Sequence, residues 1–318
     1  MKILVTGGAG YIGSHVVLAL CECRYDVVVL DDLSSGNREA VDDRAEFIQG
    51  STLNNDNVAT ALNGVDAVIH LAAFKAAGES MIDPGKYSQN NISGTISLLN
   101  AMITYEVDKF IFSSTAAVYG YPKYLPLDEN HPLEPINYYG FTKLEIERIL
   151  KWYGELKGLK YATLRYFNAA GYDPQRRIQF LEKNPANSIP IVMEVASGRR
   201  EKMEVFGNDY DTTDGTGVRD YIHVTDLATA HVKAIEYLNE NESIILNLAT
   251  GESHSVLDVI NKTKEISGKN IPYHIVDRRH GDPAELYART TLAFDQLDWK
   301  ANHSGLKSLI ETTWQVYK

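Results

Sequence analysis

The residues best suited to chemistry are a tyrosine and a lysine in the segment Tyr139-Gly140-Phe141-Thr142-Lys143. They stand at i and i+4, so a helix starting there puts both on one face. A phenol with an ordinary pKa near ~10 is a poor base at neutral pH. A neighbouring ammonium favours the phenolate, which makes Tyr139 a candidate base toward a substrate hydroxyl. Such a pairing also arises by chance, as a half-buried tyrosine beside a solvated lysine, and its setting decides between the two. Ser113-Ser114-Thr115 closes the apolar run Lys109-Phe110-Ile111-Phe112, and Thr115 offers a hydroxyl that can pass or hold the same proton.

The second constellation is the opening stretch MKILVTGGAGYIGS. Ile3-Leu4-Val5 has the length of a buried strand and runs into glycines at 7, 8, 10 and 13. They satisfy Gly8-x-Gly10-x-x-Gly13 and Gly7-x-x-Gly10-x-x-Gly13 together. Such a turn lets the backbone approach a pyrophosphate, with the N–H groups of the next helix aimed at the anion. Gly13 lets that helix lie close to the sheet. The pattern is weak alone; a strand before it and a helix after it are the context it requires. Asp26 to Leu30 reads as the next strand, closed by Asp31 about 20 residues beyond Gly10, where a carboxylate holds the adenosine ribose hydroxyls. Asp31 repels a 2′-phosphate and Asp32-Leu33-Ser34 adds no cation, so NAD is expected over NADP, with Arg38 the one nearby charge arguing otherwise. A positive nicotinamide ring would further favour the Tyr139 phenolate, with hydride leaving the carbon whose hydroxyl loses its proton.

Positioning these groups takes a sheet. The apolar runs at 46–49, 65–71, 109–112 and 161–166 alternate with helical stretches at 54–62, 87–105 and 138–157. That alternation specifies an α/β fold, a doubly wound parallel sheet of the Rossmann type with helices on both faces. Ligands on such a sheet bind beyond the carboxyl ends of the strands, where Gly7 to Gly13, Asp31, Leu71 to Lys75 and Ser113 to Thr115 converge. Beyond Phe167 the segments shorten, with Pro174, Pro185 and Pro190 and a polar run from 207 to 217. The expected division is a nucleotide-binding domain over 1–168 with about 219–248, which reads as strand, helix and strand. The remainder of 169–318 forms a smaller C-terminal α/β lobe that covers the substrate.

The chain has 318 residues, with 31 Lys plus Arg against 42 Asp plus Glu and a net charge of −11, which argues against nucleic acid and anionic membrane as partners. No apolar run approaches ~20 residues, so no membrane span is expected. The N-terminus is already strand and glycine loop, leaving no room for a signal peptide. Cys21 and Cys23 fall on different helix faces and read as reduced thiols of a cytoplasmic protein. His70 and His223 sit in apolar strands and read as satisfied core histidines; no cluster has metal-ligand spacing, and the Asp209–Asp214 run reads as a solvated turn.

The motifs TGGAGYIGSH, KAAGES, FSSTAAVYG, YYGFTK, LRYFNAAG and FGNDYDTTDGTGVRDYIHVTDLA together resemble the UDP-galactose 4-epimerases, a family of the extended short-chain dehydrogenase/reductases. The likeness runs from Met1 to about Trp314. Tyr-x-x-x-Lys marks only the superfamily, whereas the block from Phe206 to Ala228 is specific to the epimerases. The resemblance implies Tyr139 as base, Thr115 as its partner, and Lys143 as the residue that tunes Tyr139 and holds the nicotinamide ribose. For NAD it implies Gly7, Gly10, Tyr11, Ile12, Gly13, Asp31, Asn37, Ser51, Leu71, Ala72, Ala73, Lys75, Asn90, Ser113 and Tyr166. For a UDP-galactose or UDP-glucose substrate it implies Lys75, Phe167, Asn168, Asn187, Ser188, Phe206, Arg219, Arg279, Asp282 and Leu286, besides Thr115 and Tyr139. Arginines suit a diphosphate and Phe206 a flat base. The bland readings are an Arg219 paired with adjacent Asp220 and an Arg279 solvated in Arg278-Arg279-His280.

Three departures stand out. Ser51 occupies the place of the usual adenine-binding Asp. The 173–184 loop, with Arg176, Arg177 and Lys183, is unlike the family's segment. Leu286, of intermediate bulk, fills the position that decides whether an N-acetyl group fits, so weak use of N-acetylated substrates is expected. A 4,6-dehydratase or decarboxylase would carry an acid beside the active-site Thr, where Ala116-Ala117 stands, and a non-catalytic NAD-binding regulator would lack the Tyr/Lys pair. The resemblance also implies a homodimer through the helices at 87–105 and 138–157.

Overall fold

The computed structural model describes residues 1–182, 185–279 and 281–318; Lys183, Asn184 and His280 lie outside the described residues. Seven strands form one parallel sheet: β1 (Lys2–Thr6), β2 (Asp26–Asp31), β3 (Glu46–Gln49), β4 (Ala67–His70), β5 (Lys109–Thr115), β6 (Lys160–Tyr166) and β7 (Ile244–Leu248). Their order is β7-β6-β5-β4-β1-β2-β3. The winding reverses between β1 and β4, which opens the crevice where such sheets bind ligands.

Side chains alternate across each strand, and the two sets fill two cores. Ile3, Val5, Val29, Ile69 and Ile111 meet Val16, Val17 and Leu20 of the Tyr11–Glu22 helix and Leu227 and Ile235 of the Val224–Glu240 helix. Leu4, Val28, Val68, Phe110 and Phe112 meet Leu98 and Met102 of the Gly94–Thr104 helix and Ile146 and Leu150 of the Tyr138–Lys157 helix. Both faces are apolar because both are covered, which is why the strands read as continuous hydrophobic runs.

The stretch expected as one helix over 87–105 is broken. A helical turn at Pro84–Tyr87 is followed by a π-helical turn over Ser88–Ser93 and only then by Gly94–Thr104. The wider turn lets Asn91 bracket the loop after β4: its Nδ2 donates to the Phe74 carbonyl and its Oδ1 accepts from the Phe74 N–H, each at 3.0 Å. A short helix at Ala77–Ile82, not signalled by periodicity, is tied to the Tyr138–Lys157 helix where Ser80 Oγ accepts from the Tyr139 N–H at 3.0 Å.

A third apolar cluster lies in the C-terminal part, where Ile189, Val192, Val259, Ile260, Leu309 and Ile310 join the helices Ser188–Ala196, Val256–Ser267 and Leu306–Tyr317. Met203–Phe206 pairs in parallel with Tyr273–Val276, and Val218–Arg219 pairs with both His254–Ser255 and Glu285–Leu286. Asn168–Ala170 leaves the main sheet to pair with Tyr221–His223. Among the described residues, no helix is long and apolar enough to cross a membrane.

Candidate active site

Strand β5 delivers Ser113, Ser114 and Thr115 to the mouth of the crevice, and the Tyr138–Lys157 helix delivers Tyr139 and Lys143 against them. Asn137 caps that helix, its side chain accepting from the Gly140 N–H at 2.8 Å. A side chain at Gly140 would put its Cβ 2.6 Å from the Ala117 carbonyl oxygen, so the helix start is pressed onto the turn after β5. Thr115 Oγ1 accepts from the Ala117 N–H at 3.1 Å, and its hydroxyl lies beside the Tyr139 phenol, where it favours ionisation. Lys143 Nζ lies over the Phe112 ring and donates to the Ser113 carbonyl at 2.7 Å. Tyr166, in register with Thr115 on β6, shares a hydrogen bond with Ser113 Oγ.

Burial dominates the electrostatics of this site. It pushes the Tyr139 phenol up to about 12 against the opposing hydrogen bond from Thr115, and it pulls Lys143 down to about 7 against the negative charge of Glu147. The lysine alone therefore does not make Tyr139 a phenolate. Further positive charge has to arrive with what binds there.

The first groove lies at the switch between β1 and β4. Gly7, Gly10, Asp31, Ser51, Leu71, Ala72, Ala73 and Asn90 line it, with Asp32, Ser34 and Thr52. Gly7 has φ +73°, and a Cβ there would sit 2.6 Å from the Ala72 N; a Cβ on Gly13 would sit 2.1 Å from the Gly7 carbonyl oxygen. The loop is thus a cradle that only glycine permits, as a pyrophosphate requires. Asp31 accepts from the Ala9 N–H at 2.9 Å and the Leu33 N–H at 2.8 Å, fixing its carboxylate at the groove's edge. These residues fit a dinucleotide.

Other residues implied for the cofactor are placed elsewhere. The Tyr11 phenol donates to the Gly171 carbonyl at 2.5 Å, packed on Tyr172 and His15, and Ile12 packs on the core. Asn37 spends its side-chain oxygen capping a 3-10 turn, on the Glu39 N–H at 3.0 Å. Ser51 does line the groove, with its Oγ accepting from the Leu53 N–H at 3.2 Å. Lys75, half exposed beyond the groove, is ion-paired with Glu182. Glu182 belongs to the divergent loop; among its described residues, Arg177 pairs with Asp173 at 2.8 Å and Arg176 donates to Gln315 at 2.7 Å.

The second groove begins where the chain leaves β6. Asn168, Asn187, Ser188, Phe206, Arg219, Arg279 and Asp282 line it together with Ile191, Glu204 and Val256. Arg279 is exposed, yet its guanidinium lies 4.1 Å over the Phe206 ring. Nor does Arg219 pair with Asp220. It bonds the Val218 carbonyl at 2.7 Å and the Asp282 carboxylate, while Asp220 is taken by the Thr250 and Gly251 N–H groups at 3.0 and 3.1 Å. Phe167 and Leu286 sit beside this groove, both packed on the cluster of Val118, Tyr119 and Ala288.

Sequence reasoning missed a buried ion pair behind the site, Glu147 with Arg165, which bonds at 2.5 Å with both side chains under 5 % exposed. A glutamate within an apolar helix face and an arginine within an apolar strand were the available signal. The two histidines read as core are so: His70 sits between the Thr6 and Thr95 hydroxyls at 2.6 and 2.8 Å, and His223 takes the Thr225 N–H at 3.1 Å with Thr312 at 3.0 Å on its other nitrogen.

Residues 3–249 match the family model described as the NAD dependent epimerase/dehydratase family. The chain is 44 % identical over its whole length to a UDP-glucose 4-epimerase of Lacticaseibacillus casei, covering 97 % of that protein. A solved UDP-glucose 4-epimerase of Brucella ovis in complex with NAD superposes with a TM-score of 0.97 at 41 % identity, over 99 % of this chain and 98 % of that one. That of Bifidobacterium longum in complex with NAD+ and UDP gives 0.94 at 38 % identity, over 99 % and 98 %. Matched by the family model over residues 3–249 and by full-length relatives of over 40 % identity, the chain belongs to the NAD-dependent epimerase/dehydratase family.

Proposed function

We propose that the chain interconverts UDP-galactose and UDP-glucose by inverting C4 of the hexose through a transient 4-keto sugar, with NAD as a resident cofactor. The observation that carries this is the continuity of β6: Tyr166 abuts the Ser113–Thr115 end of β5, and two residues on Asn168 opens the arginine-lined groove. Full-length relatives that are UDP-glucose 4-epimerases, solved with NAD and UDP, support it. We assign residues 1–168 with about 219–248 to the cofactor and the remainder to the sugar nucleotide.

When bound, NAD supplies the acceptor, and afterwards the donor, of the C4 hydride. Tyr139 takes the proton of the 4-hydroxyl, with Thr115 passing or holding it, and returns it at the end. Lys143 fixes the ribose and adds positive charge beside the phenol. Arg219 and Arg279 grip the diphosphate and Phe206 covers the uracil, while the hexose is held weakly enough to present its other face. Tight binding of one end and loose binding of the other is the division of roles such an inversion demands.

The neighbours of Thr115, Ala116 and Ala117, supply no acid for an elimination, which disfavours a dehydratase. Leu286 fits hexoses without an N-acetyl group better than those with one. We also infer a homodimer, supported by exposed Ile82 at 86 %, Trp152 at 61 % and Leu156 at 70 %, on or beside the helices implied for pairing. A cytoplasmic setting fits the two unpaired thiols, Cys21 and Cys23. The deciding experiment is incubation with UDP-galactose and no added NAD; UDP-glucose must form, and Tyr139→Phe must abolish it. Absence of product with nucleotide-loaded protein overturns the reading.

A further inference from the structure

Three consecutive residues at the end of β5 each meet a different turn of the Tyr138–Lys157 helix. The Ser113 carbonyl accepts from Lys143 Nζ at 2.7 Å, Ser114 Oγ donates to Glu147 Oε1 at 2.5 Å, and the Thr115 hydroxyl stands beside the Tyr139 phenol. Glu147 is in turn forked by Arg165 on β6, whose Nε meets Oε1 at 3.0 Å and whose terminal nitrogen meets Oε2 at 2.5 Å. Arg165 also reaches the Tyr119 phenol at 3.1 Å, which donates to Asn247 Oδ1 on β7 at 2.7 Å. The chain of bonds therefore runs from the helix through three strands, all of it buried.

We propose that Glu147 is a positioning residue for the Tyr139–Lys143 pair: clamped by Arg165, its carboxylate locks the helix to the end of β5 in one register and stands as the counter-charge of the Lys143 ammonium. The inference rests on the catalytic reading above. Glu147 lies one turn beyond Lys143, as Tyr139 lies one turn before it. The other groups around Lys143 are accounted for. His70 on β4 is held neutral between two threonines, its pKa lowered to about 3 by burial and by Lys143 itself. Phe112 and Ser113 on β5 carry no charge. On β6, Arg165 is committed to Glu147 and Tyr166 to Ser113. Against the burial that drives Lys143 toward its neutral form, the opposing influence is Glu147. Removing that negative charge leaves Tyr139 beside a lysine that loses its proton at lower pH, and raises the pH at which the phenol ionises.

The test compares kcat against pH for UDP-galactose in NAD-loaded wild type, Glu147→Gln and Ser114→Ala. Glu147→Gln keeps an acceptor for Ser114 and removes the charge. Its kcat at pH 7 should fall about tenfold or more with KM within about twofold, and the acid limb should move up by about one pH unit. Ser114→Ala loosens the register but keeps the charge, so kcat falls with the limb unmoved. Because Glu147→Gln strands the Arg165 charge, E147Q/R165M removes both, a replacement that buried pairs often tolerate; it should show the same shifted limb. A loss uniform across pH in both Glu147 variants, or no loss, overturns the proposal. Tyr139→Phe separates the two levels. If it is inactive while the Glu147 variants keep the wild-type limb, only this inference fails; if it turns over like wild type, the catalytic reading fails.

Discussion

The Thr115 hydroxyl stands close enough to the Tyr139 phenol to ease its ionisation against burial, and its oxygen accepts from the Ala117 N–H at 3.1 Å. Thr115→Ser preserves this arrangement and should retain most activity. Thr115→Val keeps the shape, deletes the proton path, and should lower kcat about a hundredfold, the lower range for general-base assistance. Steady-state assays with UDP-galactose check both, and equal rates for the Ser and Val variants would remove Thr115 from the mechanism.

A reaction with no net redox change needs its dinucleotide retained, so purified protein should carry NAD. Asp31 bonds the Ala9 N–H of the cradle and the Leu33 N–H just beyond β2, and lines the groove where the ribose belongs. Asp31→Ala should release most of the nucleotide during purification, read by chromatography after acid precipitation. Gly7→Ala forces a Cβ to 2.6 Å from the Ala72 backbone and should do the same while disturbing the β1–β4 junction. Full nucleotide content in Asp31→Ala would show that the carboxylate does not hold the ribose.

How much of this was legible beforehand follows from range. The sheet and its cradle were readable because strand runs, glycine spacing and Asp31 are local patterns set by backbone geometry. The break at Ser88–Ser93 was not, since it arises from Asn91 bonding Phe74, a contact between segments that no periodicity encodes. For the same reason the partner of Arg219 could not be read from its neighbours: Asp220, the bland alternative, faces the other way along the strand, and Asp282 is brought in by the pairing of Glu285–Leu286 with Val218–Arg219. Glu147 and Arg165 meet only because helix and strand are packed in one register.

Arg279 stacked on Phe206 forms a flat, cationic wall to the second groove. Phe206→Ala removes both the base-covering ring and the support of Arg279, and should raise KM for UDP-galactose about tenfold to a hundredfold with kcat changed far less. Arg219→Met should act similarly, since a charge-assisted bond to phosphate is worth about 1.5–3 kcal/mol. The check is a KM-against-kcat split, supported by calorimetry with UDP alone. A fall confined to kcat would place these residues at the sugar instead.

Acid should destabilise the protein through its buried histidines. Burial holds His70 and His223 at about 3, far below the 6.5 of an unfolded chain. A depressed pKa contributes stability above the unfolded value and loses it as pH falls toward the folded one, so the loss here begins below about 6.5. Each such histidine should cost about 2 kcal/mol between pH 7.5 and pH 5. His70→Asn, which can still bridge Thr6 and Thr95, should be less stable at pH 7.5 yet lose about 2 kcal/mol less on acidification. Urea unfolding at the two pH values measures the difference, and parallel losses in both proteins would refute it.

Sugar range turns on Leu286. Its strand, Glu285–Leu286, runs parallel to Val218–Arg219, and its side chain packs half-buried with Phe167 beside the groove that begins at Asn168. An N-acetyl group on C2 adds a planar amide that needs room, and leucine leaves less of it than a smaller residue. Wild type should therefore turn over UDP-N-acetylglucosamine far more slowly than UDP-glucose. Leu286→Ala should raise the relative kcat/KM for the acetylated sugar about tenfold, within the range one apolar pocket contact allows. Leu286→Tyr should abolish that activity while leaving UDP-galactose a substrate. Comparable rates on both sugars in wild type, or a ratio unmoved by either substitution, would assign the discrimination to another wall of the pocket.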